Sequence, residues 1–263
     1  EGGAKRWIKI GILSFQPSEV AKVAVVMSFA SLMSIYREKM QTFRYGVLPF
    51  AVILVVVCGL VALERHFSGV LIILALGAAM MFLGGAQLRW FAIGAAAVGI
   101  FAAVYLTTMG YASARVTAWR DPMSDPSDTG YQILQSLYAI GSGGLMGLGF
   151  GRSRQKYLYL PEEHNDYIFP IVCEELGFVG AVAVILLFVL LIVRGYWIAM
   201  HARDRFGALL AAGLTTHLAL QTFLNIGVVT NFLPSTGISL PFFSYGGTAL
   251  LIQLFEVGLI LSI

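Results

Sequence analysis

The sequence predicts an all-α, polytopic membrane protein, with seven transmembrane helices and one large extracytoplasmic loop in a single membrane domain over residues 1–263. Three observations predict it. Hydrophobic residues make up 58% of the 263 and charged residues only 12%, with a mean hydropathy of +0.82, where an average soluble domain is about a quarter charged. The apolar residues gather into runs that approach the roughly 20 residues a bilayer-crossing helix needs. Within those runs the apolar positions lie all round the helix rather than in one stripe, the pattern of helices surrounded by lipid or by one another.

The candidate crossings are, in order, 20–36, 46–63, 69–83, 90–106, 168–193, 208–229 and 248–263. Between the fourth and fifth lie about sixty residues, 107–167, rich in Gly, Pro, Asp and aromatics, too many for an idle connection. Function is expected to sit there. Seven crossings put the two ends on opposite sides of the bilayer. The chain opens on Glu1, carries no signal-peptide pattern and stops inside an apolar run, so it reads as a piece of a longer protein. Its two cysteines, Cys58 and Cys173, both lie in apolar runs, which leaves no disulfide framework and no CxxC-type metal pair.

Basic residues in short loops set orientation. Arg37, Lys39 and Arg44, then Arg89, then Arg194, Arg203 and Arg205 all fall on one face, which is expected to be cytoplasmic. The long loop then faces the extracytoplasmic side. That side still carries Lys5, Arg6, Lys9, Arg65, Arg115, Arg120, Arg152, Arg154 and Lys156. Against the bias for positive charge inside, these residues need a reason of their own, and an anionic ligand at the outer surface is one. The lipid bilayer is the partner that composition dictates, and nothing in the sequence points to nucleic acid.

The first chemical constellation runs from Gly3-Ala4-Lys5-Arg6-Trp7-Ile8 to Phe15-Gln16-Pro17-Ser18-Glu19-Val20-Ala21-Lys22, leading into the first crossing. Pro17 and Glu19 suit a helix start: proline tolerates the first turn, and a carboxylate there meets the positive end of the helix. Lys22 lies a turn deeper, where an ionisable side chain is costly unless paired or facing a cavity. An i,i+3 pair with Glu19 satisfies both residues, and structural pairing and membership of a site stay equally open. In the next outer turn, Glu64-Arg65-His66-Phe67-Ser68-Gly69, Glu64 sits at a span end on the same side as Glu19 and is the better candidate. Arg65 and His66 read as an ordinary polar turn.

Within the long loop, residues 131–140 put Ile133, Leu134, Leu137 and Ile140 on one helical face, the pattern of a short helix lying in the membrane interface. Six glycines follow in the eleven residues from Gly141 to Gly151. No Gly-Lys-Ser/Thr follows them and no strand precedes them, which excludes a nucleotide loop. Arg152, Arg154 and Lys156 come next, and glycine-bounded cationic turns suit phosphate groups; the competing reading is a solvated charge run. Then come Leu160-Pro161-Glu162-Glu163-His164-Asn165-Asp166-Tyr167 at the membrane entrance and Glu174-Glu175 inside the span. A divalent cation, Mg²⁺ or Mn²⁺, is the cofactor these carboxylates would suit, while no HExxH spacing supports zinc. Asp166 sits at the hydrocarbon boundary, where partial desolvation would make it a better base. Glu174 and Glu175 lie deeper, where helix packing or a buried hydrogen bond accounts for them. Finally, the segment from Asn225 through Pro234 to Thr248, with Ser244 and Tyr245, is rich in Pro, Gly and hydroxyls. At membrane depth that composition reads as a re-entrant or cavity-lining segment.

Taken together, GAKRWI, FQPSEVAK, YQILQSLYAIGSGGLMGLGFGRSRQKYLYLPEEHNDYIF, CEELGFVG and NIGVVTNFLPSTGISLPFFSYGGT resemble the SEDS family (shape, elongation, division and sporulation), in order and across essentially the whole chain. The resemblance implies a peptidoglycan glycosyltransferase of ten membrane helices, of which this chain would hold the last seven. It would be an inverting enzyme of the bacterial cytoplasmic membrane that polymerises lipid II at the outer face, with a class B penicillin-binding protein as partner. It places the family's essential aspartate on Asp166, with Asn165 and Tyr167 in place of the usual Thr and Phe, and the residues of its first motif on Arg6, Trp7, Glu19 and Lys22. The turn at Glu64 departs from the common E/Q-P-D-x-G-T form, keeping the acid but not supporting His66, and Asn231 stands where Gly is usual.

The resemblance agrees with the inventory read from the residues. Attack of a sugar hydroxyl on a carbon bearing pyrophosphate needs a base for the nucleophile, while the leaving group needs cations rather than a proton. One carboxylate beside a basic cluster meets that need, and nothing demands the second acid of a two-carboxylate hydrolase. The rival from another class is a flippase for lipid-linked precursors, which outer cations and broken helices would also serve; the internal repeats common in transporters are not seen.

Overall fold

The computed structural model of the protein describes residues 8–10, 13–64, 67–108, 116–124, 126, 130–157, 160–161 and 164–263. Every one of the seven apolar runs is helical. Leaving aside single-turn pieces such as Phe43–Gly46, the helices in chain order are α1 (Pro17–Ile35), α2 (Leu48–Leu63), α3 (Phe67–Leu83), α4 (Leu88–Thr108), the short α5 (Tyr131–Ser142), α6 (Ile168–His201), α7 (Arg205–Val229) and α8 (Gly247–Ser262). The strands among the described residues are a small antiparallel pair before α1, β1 (Ile8–Ile10) with β2 (Leu13–Phe15), in which Lys9 stands opposite Ser14. Four helical stretches, Pro17–Ile35, Phe43–Leu63, Ile168–His201 and Arg205–Val229, are long and apolar enough to cross a membrane; α3, α8 and the stretch Leu88–Ile100 of α4 are apolar but shorter.

The chain divides into two compact units. The first comprises Glu1–Gly94, Leu191–Leu220 and Gly246–Ile263. Its core is apolar and aromatic: Phe29 of α1 meets Phe50 of α2 edge to face at 4.9 Å, beside buried Val26, Met33, Ile73, Leu76 and Met80. Two pairs of polar side chains meet inside this unit, as membrane interiors favour. Tyr196 and Thr216 share a hydroxyl hydrogen bond of 2.8 Å, and His217 of α7 meets Glu256 of α8 at 2.7 Å.

The second unit comprises Ala95–Leu190 and Gln221–Tyr245. Its core gathers Leu160, Tyr167, Phe169, Cys173, Val229 and Leu240. The helix expected at 131–140 is present as α5, but its apolar face does not lie against lipid. Ile133, Leu134 and Ala139 are buried within the protein, and Ser136 between them donates its hydroxyl to the carbonyl of Val229 at 2.6 Å. An apolar stripe shows which face is covered, not whether lipid or protein covers it.

A break in α6 positions the glycine-rich loop. Gly177 adopts a left-handed φ of 67°, and the backbone groups freed there bind the loop. The amides of Leu148 and Gly149 donate to the carbonyls of Glu174 and Glu175, while the amides of Phe178 and Val179 donate to the carbonyls of Gly144 and Leu145, at 2.9–3.2 Å. This is how an interrupted membrane helix stays satisfied. The approach demands glycine on both sides: a Cβ on Gly177 would fall 2.6 Å from the carbonyl oxygen of Leu145, and one on Gly147 would fall 2.6 Å from the amide nitrogen of Gly177.

Candidate functional site

Asp166 lies in a turn at residues 164–167, immediately before α6, and is half-buried. Its main chain is fixed from α7: the buried side-chain amide of Asn225 donates to the Asp166 carbonyl at 2.7 Å and, at the same length, to the carbonyl of Ile238. Its carboxylate lies against Gly237, at which a Cβ would fall 3.2 Å from Asp166 Oδ2. Gly237 also has a φ of 65°, so the position rejects a side chain on both counts. Next to Asp166, Tyr167 is wholly buried and points its hydroxyl toward Ser235 Oγ at 3.5 Å.

The segment from Pro234 to Tyr245 is not helical and is tied by hydrogen bonds within itself and to the turn before α6. The hydroxyl of Ser244 accepts from the amide of Leu240 at 2.7 Å, and the amide of Tyr245 donates to the carbonyl of His164 at 2.7 Å. Ser244 therefore shapes the segment, while the Tyr245 ring stands 83% exposed. The tie from Tyr245 to His164 joins this segment to the turn that carries Asp166. Asn225 and Gly237 are site-framing residues that the sequence did not single out. The available signal was an amide inside an apolar run, which must find partners to be tolerated there.

The cations of the loop sit on a frame of two carboxylates. Glu174, buried in α6, accepts from the hydroxyl of Ser153, from the amide of Arg154 at 3.0 Å and from the amide of Gln155 at 3.3 Å. Glu175 accepts from the amides of Gly151 and Ser153 at 2.9 and 3.2 Å, and from the ammonium of Lys156 at 2.8 Å. This is the buried hydrogen-bond role expected of the pair, extended over a whole loop. It also alters the expectation for Lys156. That ammonium binds Glu175 and the carbonyl of Gly151, and the hydrogen bond to Glu175 holds its pKa above the ordinary lysine value. Arg152 and Arg154 remain as the exposed cations of the cluster.

In the first unit, Lys22 reaches both carboxylate oxygens of Glu19, at 2.9 and 2.8 Å, with both side chains buried. The i,i+3 pairing read from the sequence is therefore present. Glu64 follows the last turn of α2, and its Oε2 is buried without a hydrogen-bond partner among the described residues. Arg6 lies outside the described residues, as do Arg65, His66, Glu162 and Glu163. Among the described residues, no three His, Cys, Asp or Glu side chains cluster to hold a metal ion.

A family model described as a cell cycle protein, FtsW/RodA/SpoVE, matches residues 1–263. The chain is 40% identical over 262 residues to a probable peptidoglycan glycosyltransferase FtsW of Geobacter sp. (strain M18), covering 99% of this chain and 71% of that protein. It is 39% identical to the stage V sporulation protein E of Bacillus subtilis (strain 168), with the same coverage of each. Among solved structures, it is similar to a chain of a peptidoglycan synthase complex that coordinates polymerization and crosslinking, with a TM-score of 0.82 at 29% identity, covering 99% of this chain and 73% of that one. It is also similar to the rod shape determining protein RodA of Thermus thermophilus, with a TM-score of 0.69 at 28% identity and coverage of 99% and 69%.

Proposed function

The chain belongs to the FtsW/RodA/SpoVE family, and we propose on that premise that it is a peptidoglycan glycosyltransferase that polymerises lipid II with Asp166 as general base. It is a multi-pass membrane protein. In the proposed topology it crosses the bacterial cytoplasmic membrane seven times, and residues 107–167 carry the reaction on the extracytoplasmic side. The observation that carries the assignment is the mounting of Asp166: its backbone is tied to α7 by Asn225, and its carboxylate lies against a glycine that leaves it room.

The chemistry follows from the groups available. Asp166 takes the proton of the acceptor sugar hydroxyl as its oxygen attacks the donor carbon from the face opposite the pyrophosphate, inverting that centre. The carbon–oxygen bond to pyrophosphate breaks, and the charge that develops on the leaving group is met by Arg152 and Arg154. Lys156 braces the loop that presents them. Glu19, Lys22 and Glu64, with Arg6, are further candidates for contact with the lipid-linked substrate. The partner in this reading is a class B penicillin-binding protein, supported by the likeness to a chain of a peptidoglycan synthase complex.

The test is polymerisation of purified lipid II by the full-length protein with its partner. Asp166→Asn nearly conserves shape and removes basicity, so it should leave thermal stability and partner association near wild type while lowering glycan formation by at least the roughly 10²-fold typical of losing a general base. Near wild-type polymerisation by this variant sinks the assignment of Asp166. A wild type that moves lipid II across vesicles without polymerising it sinks the enzyme reading in favour of a flippase.

A further inference from the structure

The glycine-rich loop ends in an apolar tip that the protein does not cover. Leu145, Met146 and Phe150 are 72, 80 and 87% exposed, an unusual density of bare apolar surface for a loop in water. Its depth is set by α6. The carbonyl of Leu145 accepts from the amide of Val179, and that of Gly144 from the amide of Phe178, so the tip lies level with Phe178 and Val179. Those two side chains are themselves exposed and open the stretch 178–193, which contains no charged residue and ends at Arg194. Such a stretch is about 24 Å long as helix, close to the roughly 30 Å hydrocarbon thickness, which puts its first residues at the boundary of the hydrocarbon on the loop's side.

Two further features agree with that depth. The amides of Leu148 and Gly149 and the carbonyls of Gly144 and Leu145 are all hydrogen-bonded to α6, as irregular backbone at membrane depth must be. The charged groups lie on the other side of the tip: Glu174 and Glu175 precede Phe178 on α6, and Arg152, Arg154 and Lys156 follow the tip in sequence, where the Arg154 amide and the Lys156 ammonium are anchored to those two carboxylates. Apolar side chains below and charges above make an interfacial element.

We propose that residues 145–150 form a membrane-dipping tip, with Leu145, Met146 and Phe150 immersed in the acyl chains of the bilayer leaflet on their own side. The occupant of this surface is lipid, because the tip continues the lipid-facing surface of a membrane helix and is hydrogen-bonded to it. The immersion is independent of the role given to Asp166.

The full-length protein, in nanodiscs of phosphatidylethanolamine and phosphatidylglycerol free of lipid-linked sugars, tests it by spin-label accessibility. Single cysteines are introduced as Met146→Cys and Phe150→Cys after replacement of Cys58 and Cys173, with Leu187→Cys as the lipid-exposed standard and Arg203→Cys as the aqueous one. Both tip labels should collide with oxygen several-fold more often than with a water-soluble nickel chelate, as at Leu187→Cys. Preference for the chelate would show a solvated loop, and shielding from both would show a protein cover; either overturns the proposal. A second measurement needs no substitution: a photoactivatable acyl chain in the same nanodiscs should label wild-type residues 145–150, and absence of label there, with labelling of 185–190, also overturns it.

Discussion

The side-chain nitrogen of Asn225 donates to the carbonyls of Asp166 and Ile238 at 2.7 Å each, so one buried amide sets the backbone of Asp166 against the segment that carries Gly237. Asn225→Leu keeps the volume but leaves two carbonyls without a donor, and an ionised Asn225→Asp turns a second acceptor toward them. Each should cost about 1–3 kcal/mol of stability. Polymerisation should fall mainly in kcat, measured alongside thermal unfolding. A variant that loses stability but keeps kcat would show that Asn225 holds the fold without placing the base.

Glu174 is predicted to govern the order of the loop. In Glu174→Ala the hydroxyl of Ser153 and the amides of Arg154 and Gln155 lose their acceptor, which should cost about 1–3 kcal/mol. Hydrogen exchange at residues 151–156 should accelerate while α7 keeps its protection. Unchanged exchange in the loop would contradict the framing role.

The three loop cations should separate by experiment. Neutralising Arg152 and Arg154 should raise the apparent KM for lipid II and flatten its salt dependence. Lys156→Met should instead lower the protection of loop amides. Because the hydrogen bond to Glu175 raises the Lys156 pKa above its ordinary 10.5, the contribution of the bridge is whole below that value and is lost only as pH rises through the raised folded value. Protection factors for residues 151–156 should therefore hold constant from about pH 7 to 9 in the wild type. A fall within that range would contradict the bridge.

Much of the fold was legible because a membrane helix writes itself locally. The seven apolar runs needed no tertiary information, and the bond between Glu19 and Lys22 follows from i,i+3 spacing alone. The missed features depend on distant partners. Nothing near Lys156 in sequence announces that Glu175, nineteen positions on, will capture it. One glycine in an apolar run does not mark itself as a break, so the interruption at Gly177 was hidden until the loop opposite it was placed. Asn231, at a position where the family resemblance implies glycine, is explained by the structure: it adopts a φ of 59°, a region asparagine tolerates better than most residues. It also exchanges hydrogen bonds with Trp119 through backbone and side chain, at 3.1 and 3.3 Å.

The Glu19–Lys22 pair can be tested by exchange. Lys22→Met removes the counter-charge from a buried carboxylate and should cost about 3–5 kcal/mol. Exchanging the two residues should restore most of that loss, short of about 0.3–1 kcal/mol for placing a cation at the positive helix end. If the exchanged protein folds normally but no longer polymerises, the pair contacts substrate; full activity would make it structural.

Orientation is open to a direct check in spheroplasts of cells carrying the full-length protein without Cys58 and Cys173. Met123→Cys, on an exposed turn of the long loop, should react with an impermeant maleimide, and His201→Cys, at the end of α6, should not. The reverse pattern would put Asp166 on the cytoplasmic side.

The hydrogen bonds across the break in α6 also bear on the order in which the protein can assemble at the ribosome. Residues 144–149 are synthesised before 174–179, so when the interrupted helix emerges its freed amides and carbonyls find acceptors and donors already waiting, and no later segment is required. The tie from Asn225 to Asp166 runs the other way. The turn that holds the carboxylate must wait some sixty residues for its clamp. A nascent chain arrested between α6 and α7 should thus carry a finished loop beside an unfinished Asp166 turn, which places completion of the candidate site after the synthesis of α7.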